Sequence, residues 1–259
     1  MQTSFFTQNG EWFLPTDICR GPWDPDACHA GPPTGLLARA AELAVSDQRL
    51  VRLTVELLRP IPHAGFRIRS QVIKAGRTAS LVGSSLEDQS GRTACESRAL
   101  LMAGGAPHST PTTAAEAPDF QSATPGPFFL GAARHGLAHF AQGVELRYPP
   151  GQSSAPGPST VWMRAPALLP DEAPSPFQSV CPLADCGNAL SRNGDIDAWA
   201  FMNVDLTIHL HRPPQGEWIA ASAVSRWEAD GVGLSDTLLF DHQGLVGRAT
   251  QTLLVQPRA

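Results

Sequence analysis

Apolar and polar residues alternate along 50–58. Val51, Leu53, Val55 and Leu57 are apolar, and Arg52, Thr54 and Glu56 lie between them. This period of two belongs to a strand with one buried face. Stretches 66–75, 79–87 and 93–102 extend the pattern to four strands. A hairpin turn is expected at Asp88-Gln89-Ser90-Gly91, where glycine suits positive φ. Upstream, Leu36, Leu37, Ala40 and Leu43 recur at helical spacing after Pro32-Pro33. Tandem prolines fit a first helical turn, whose N–H groups have no partner anyway, so the spacing predicts one helix over 31–46. Shorter strand-like pieces surround Trp12 and Trp23.

The pattern then repeats. Leu53-Thr54-Val55-Glu56-Leu57-Leu58-Arg59-Pro60 reads against Leu206-Thr207-Ile208-His209-Leu210-His211-Arg212-Pro213, an offset of 206 − 53 = 153. The same offset carries Leu81 onto Leu234, Leu86 onto Leu239, Asp88 onto Asp241, Gly91 onto Gly244, and Leu100-Leu101 onto Leu253-Leu254. A register kept through several strand-like segments indicates an internal repeat. The second copy is expected to hold a helix over 175–192 and strands at 203–211, 217–227, 233–240 and 245–255. Weaker strands at 143–148 and 160–164 precede that helix. Residues 104–127, rich in Gly, Pro, Ala, Thr and Ser, read as an extended linker. The organisation is an N-terminal repeat over 1–103, a linker over 104–135 and a C-terminal repeat over 136–259. The class is α+β: in each half an antiparallel sheet wraps one long helix, which covers the sheet's apolar face.

Composition narrows the function. Charged residues make up 17% of the 259 and the net charge is −5 with no Lys/Arg cluster, which argues against a nucleic-acid partner. No apolar run is long enough to span a bilayer, and the N-terminus lacks the basic start and apolar run of a signal peptide. Five cysteines (Cys19, Cys28, Cys95, Cys181, Cys186) without CxxC spacing suit reduced thiols in a cytoplasmic protein. There is no GxSxG elbow, P-loop, GxGxxG or HExxH, and no cofactor is suggested. His209 and His211 could chelate a metal from one strand face, but no third ligand lies nearby, and they read as surface or interface histidines.

Several segments together resemble the acyl-CoA thioesterase II (TesB-like) branch of the hotdog thioesterases, in its double hotdog form. They are His29-Ala30-Gly31-Pro32-Pro33, Val55 through Pro62, Asp205 through Pro213 with Glu217-Trp218, Asp230-Gly231-Val232-Gly233-Leu234, and Gly247 through Val255. Ala30 stands where the family often has glycine. The resemblance implies hydrolysis of acyl-CoA to free acid and CoA, without a cofactor, by a chain that associates as a homodimer. It also implies a polar trio on the second repeat, read here as Asp205, Ser225 and Gln251. The 153 offset sets these on Arg52, Val72 and Arg98, so the first copy has the scaffold without the trio.

Such a trio fits the chemistry. Asp205 would be the base for a water that Ser225 and Gln251 orient, and no covalent nucleophile is needed. Donors for the oxyanion would come from the first helix N-terminus, with Gly31 the choice because Pro32 and Pro33 have no N–H. His29 is a candidate for substrate binding or for helix entry. Asp185 and Asn188, on the second helix, are secondary candidates, with Asp185 the alternative base. Two other readings share the fold: a non-catalytic acyl-CoA-binding module, and an enoyl-CoA hydratase pairing an Asp with His209 or His29.

Overall fold

The computed structural model describes residues 4–105, 113–131, 133 and 135–258, so part of the expected linker, 106–112, lies outside the described residues. The first half runs β1 (Phe6–Asn9), β2 (Trp12–Pro15), α1 (Gly31–Ala44), β3 (Arg49–Leu57), β4 (Phe66–Lys74), β5 (Ala79–Glu87) and β6 (Thr93–Met102). The second runs β7 (Thr124–Pro125), β8 (Glu145–Tyr148), β9 (Ser159–Arg164), α2 (Pro176–Ala184), α3 (Gly187–Leu190), β10 (Trp199–Asn203), β11 (Asp205–Leu210), β12 (Ile219–Trp227), β13 (Val232–Asp241) and β14 (Gly244–Pro257).

The strands form one antiparallel sheet, ordered β1-β2-β4-β5-β6-β3-β11-β14-β13-β12-β9-β8-β7, with β10 also paired to β14. The order is a mirror: β4-β5-β6-β3 meets β11-β14-β13-β12 at the β3–β11 seam. There Thr54 pairs with Thr207, residues related by the repeat offset, and their hydroxyls lie 3.2 Å apart. The pseudo-two-fold axis therefore passes through the sheet at this pair.

The sheet curls around the helices. α1 buries Leu36, Leu37, Ala38 and Ala41, and full burial of a leucine is worth about 1.5–3 kcal/mol. α1 also lies directly on α2. A Cβ at Gly31 would sit 2.7 Å from the Pro182 carbonyl oxygen, so only glycine allows this approach. The expected single helix over 175–192 is instead two pieces. Ser175 caps α2, its hydroxyl accepting the Gln178 N–H. Pro182 lies inside α2 and has no N–H to continue the ladder, and the helix stops before Asp185. α3 then tucks against β13, so close to Thr237 that Gly187 has no room for a Cβ.

Two irregularities set the site. β10 and β11 form one strand interrupted at Val204. Asn203 pairs with Leu253 and Thr207 with Thr250, one residue more on the β10–β11 side. Such a bulge re-aims the side chains beside it. β3 carries the same extra residue at the repeat-equivalent Val51, between the pairs Leu50–Leu101 and Arg52–Leu100. The second irregularity is a turn length. Ser235 pairs with Gln251, and the equivalent Val82 pairs with Ala99. Between β5 and β6 the chain therefore has one residue more than between β13 and β14. The additional residue lies within the turn that Asp88 and Arg92 close, where the other repeat closes with Asp241 and Gly244. Gln251 thus answers to Ala99, not to Arg98, and Asn203 answers to Leu50.

Candidate active site

A cavity of about 460 Å³ opens where the end of β3 parts from β10. Its walls include His29, Leu57, Arg59, Asp185, Asn188 and Asn203. Trp23, Met202, Val204 and Leu254 make much of the remaining wall apolar, the usual make-up of a small-molecule site with a few convergent polar groups.

Asp185 is the centre of these polar groups. It follows α2 directly and is 4% exposed. Its Oδ1 accepts from Asn203 Nδ2 at 3.0 Å and from Gln251 Nε2 at 3.1 Å. Its Oδ2 lies 3.1 Å from His29 Nδ1, and the backbone N–H groups of Gly31 and Ala30 also point at the carboxylate. Burial pushes this carboxyl up to about 7, against those hydrogen bonds, which favour the charged form. His29 moves the other way. Its ring stacks on Phe140 at 3.9 Å, and burial, with His139 nearby, lowers it to about 3. Asp185 and His29 are therefore not an ion pair at neutral pH: the imidazole is uncharged and the carboxyl is poised to give or take a proton.

Gln251, 1% exposed, holds Asp185 from behind. Its Nε2 donates to the side chain and the backbone carbonyl of Asp185, and its Oε1 accepts the Asn188 N–H at 3.0 Å. It thus ties β14 to the break between α2 and α3. Asn188 Oδ1 accepts the Ala189 N–H. The Asn188 Nδ2 hydrogen-bonds to no described residue, and it is not among the buried groups lacking a partner.

The other expected site residues lie elsewhere. The bulge at Val204 turns Asn203 inward and Asp205 outward. Asp205 is not part of the cavity wall, and its carboxylate accepts the Thr252 N–H on the outer face of the sheet. Ser225 is buried on the inner face, 2.7 Å from the Ser191 hydroxyl, and also outside the cavity wall. The Gly31 N–H approaches His29 Nδ1 at 3.3 Å and the Asp185 carboxylate, so it is not aimed freely into the cavity. Asn203 was not foreseen. Its signal was the equivalence of Val51 and Val204, since a bulge shared by both repeats exchanges the faces on either side.

Known proteins agree with this architecture. A family model described as the acyl-CoA thioesterase N-terminal domain matches residues 19–104, and one described as the C-terminal domain matches 111–255. No curated protein matches in sequence. Among solved structures, a candidate thioesterase of Novosphingobium aromaticivorans superposes with a TM-score of 0.78 at 18% identity, covering 98% of this chain and 99% of its own. The acyl-CoA thioesterase II TesB2 of Mycobacterium marinum gives 0.65 at 16% identity, covering 97% and 95%. A hotdog-fold protein of Alicyclobacillus acidocaldarius gives 0.74 at 14% identity, covering 98% and 96%. With both of its halves matched, the chain belongs to the acyl-CoA thioesterase family.

Proposed function

We propose that the protein hydrolyses acyl-CoA thioesters with Asp185 as general base. The observation that carries this reading is a buried carboxyl, raised to about 7, in the wall of an apolar cavity and fixed by donors from both repeats. A base works best when its pKa lies near the operating pH.

In the reaction, ionised Asp185 takes a proton from a water in the cavity. Asn203, on the cavity wall, orients that water through its Oδ1. The hydroxide oxygen bonds to the thioester carbon, and the Asn188 Nδ2 donates to the oxyanion. The C–S bond then breaks, and the proton held by Asp185 passes to the departing sulfur. Gln251 does not line the cavity; it positions Asp185 and Asn188. His29 stays neutral and fixes one edge of the carboxyl.

The test is free-thiol release from acyl-CoAs of graded chain length, with Asp185→Asn and Asp205→Asn alongside. Loss of a general base costs about 10²–10⁴ in rate. Turnover should fall by this much in Asp185→Asn and persist in Asp205→Asn; the opposite order refutes the assignment. The His29–Asp185 contact also suits hydration of an enoyl-CoA, in which water adds across a C=C bond and no thiol appears. Loss of enoyl absorbance without thiol release would select that reaction.

A further inference from the structure

The repeat offers an internal control for the cavity mouth. Arg59 lies in the cavity wall, and its repeat-equivalent is Arg212. A smaller cavity of about 160 Å³ lies at the pseudo-symmetric place, with Arg212, Pro213, Leu210 and Leu50 in its wall. These answer to Arg59, Pro60, Leu57 and Asn203 of the larger one.

The two arginines share a position but not an environment. Arg212 is neutralised: its Nη1 and Nη2 each donate at 2.6 Å to the carboxylate of Asp241, which is 0% exposed, and Leu245 and Gly244 carbonyls take further N–H groups. The equivalent of Asp241 is Asp88, which does not bond to Arg59. Asp88 instead accepts from Arg92 Nε at 2.9 Å, the Arg92 and Ser90 backbone N–H groups and the Ser90 hydroxyl. Arg92 closes that longer turn where Gly244 closes the other. It supplies a cation that occupies Asp88 and so leaves Arg59 without it. Arg59 is exposed, and its Nη1 donates to the Thr93 carbonyl at 2.7 Å. Among the described residues it has no carboxylate partner. Among the described residues, Arg258 and Asp24 also stand near this mouth. Arg258 lies 5.1 Å from the centre of the Trp23 ring, and Asp24, on the cavity wall, accepts the Asp26 N–H.

We infer that Arg59 is the phosphate-recognition residue for a phosphopantetheine thioester, an assignment that rests on the hydrolase reading above. A thioester with its carbonyl at Asp185 extends one arm toward solvent. The arm that ends in phosphate belongs at the exposed guanidinium, whose planar fork matches phosphate oxygens. The acyl arm takes the apolar wall. The phosphate is supplied either by CoA or by the phosphopantetheine arm of a carrier protein.

The test compares acyl-CoA, the same acyl group on a carrier protein, and its N-acetylcysteamine thioester, which has no phosphate. The readout is kcat/KM for each, in wild type, Arg59→Ala, Arg59→Lys and Arg92→Ala, with binding of free CoA followed by calorimetry. Hydrogen bonds to charged groups are worth about ten- to hundred-fold. The ratio of kcat/KM for acyl-CoA to that for the N-acetylcysteamine thioester should fall by about this factor in Arg59→Ala, through KM. Arg59→Lys should restore part of the ratio, because the charge returns without the fork. Arg92→Ala should lower the ratio too, by freeing Asp88 to neutralise Arg59, and should add little to Arg59→Ala. A parallel fall on the carrier-protein substrate assigns the contact to the shared pantetheine phosphate; a fall with CoA alone assigns it to the nucleotide phosphates. An equal loss on all substrates, no change in the ratio, or an effect confined to dicarboxylic acyl groups overturns the inference. Arg59-dependent binding of CoA by a protein that hydrolyses nothing overturns the hydrolase reading and supports this one.

Discussion

Replacing Asp185 by Asn should make the protein more stable at alkaline pH while removing its activity. Raising a carboxyl from its ordinary value near 3.9 to about 7 penalises the ionised folded state. At about 1.4 kcal/mol per tenfold change, the penalty is about 4 kcal/mol. The sign follows from proton counting. Between those two values the folded protein holds a proton that the unfolded chain has lost, so stability falls as pH rises through this window. Below it both states are protonated and the penalty is absent. Asn is isosteric and uncharged, and its Oδ1 can still accept from Asn203 and Gln251. Urea denaturation of wild type and Asp185→Asn from pH 4.5 to 8 should therefore give curves that diverge. The variant should gain up to about 4 kcal/mol relative to wild type by pH 8. In the wild type, kcat/KM should rise with pH through about 7, as the base ionises. Parallel stability curves, or activity already constant from pH 5 upward, would refute the claim that burial holds this carboxyl protonated.

Other substitutions separate the site from its surroundings. Gln251→Ala leaves the Asn188 N–H and one side of Asp185 without their partner, and should cost about 1–3 kcal/mol in denaturation together with a fall in kcat in steady-state assays. Asp205→Asn and Ser225→Ala touch only a backbone cap and a hydroxyl pair; each should cost about 1 kcal/mol and leave kcat within a few-fold of wild type. Gly31→Ala puts a Cβ against the Pro182 backbone; overpacking of this kind costs about 1–3 kcal/mol, and moving α1 off α2 should also lower turnover, measured as the melting temperature and thiol release.

Much of this arrangement was legible in the chain. Alternation in Val51–Leu57 and its echo at Leu206–Leu210 located the strands and the repeat, because a sheet with one buried face leaves a period of two. The helix at Leu36–Leu43 was equally plain. The site was harder to read because it depends on single-residue events. A bulge costs one residue and exchanges faces, so Asp205, though correctly aligned with Thr207 and His209 on the polar side, points away from Gln251 while Asn203 points toward it. The extra residue in the Asp88–Arg92 turn is hidden by a constant offset, since Leu100-Leu101 matches Leu253-Leu254 nearly as well one residue out of step. The break in the second helix gave little warning either: the apolar spacing runs on past Pro182, and the tertiary fit of Gly187 against Thr237 places Asp185 at the end of α2.

The seam at Thr54 and Thr207 has a further consequence. His29, the Ala30–Gly31 amides and Arg59 come from one half of the chain, and Asp185, Asn203 and Gln251 from the other. On the mechanism proposed above the reacting groups lie in the second half, but the groups that hold the Asp185 carboxyl and one wall of the cavity come from the first, so turnover should depend on the docking of one half on the other. If the halves were made as separate polypeptides, each would be silent alone. Rate would appear on mixing, first in proportion to the product of their concentrations, then saturating as the seam fills.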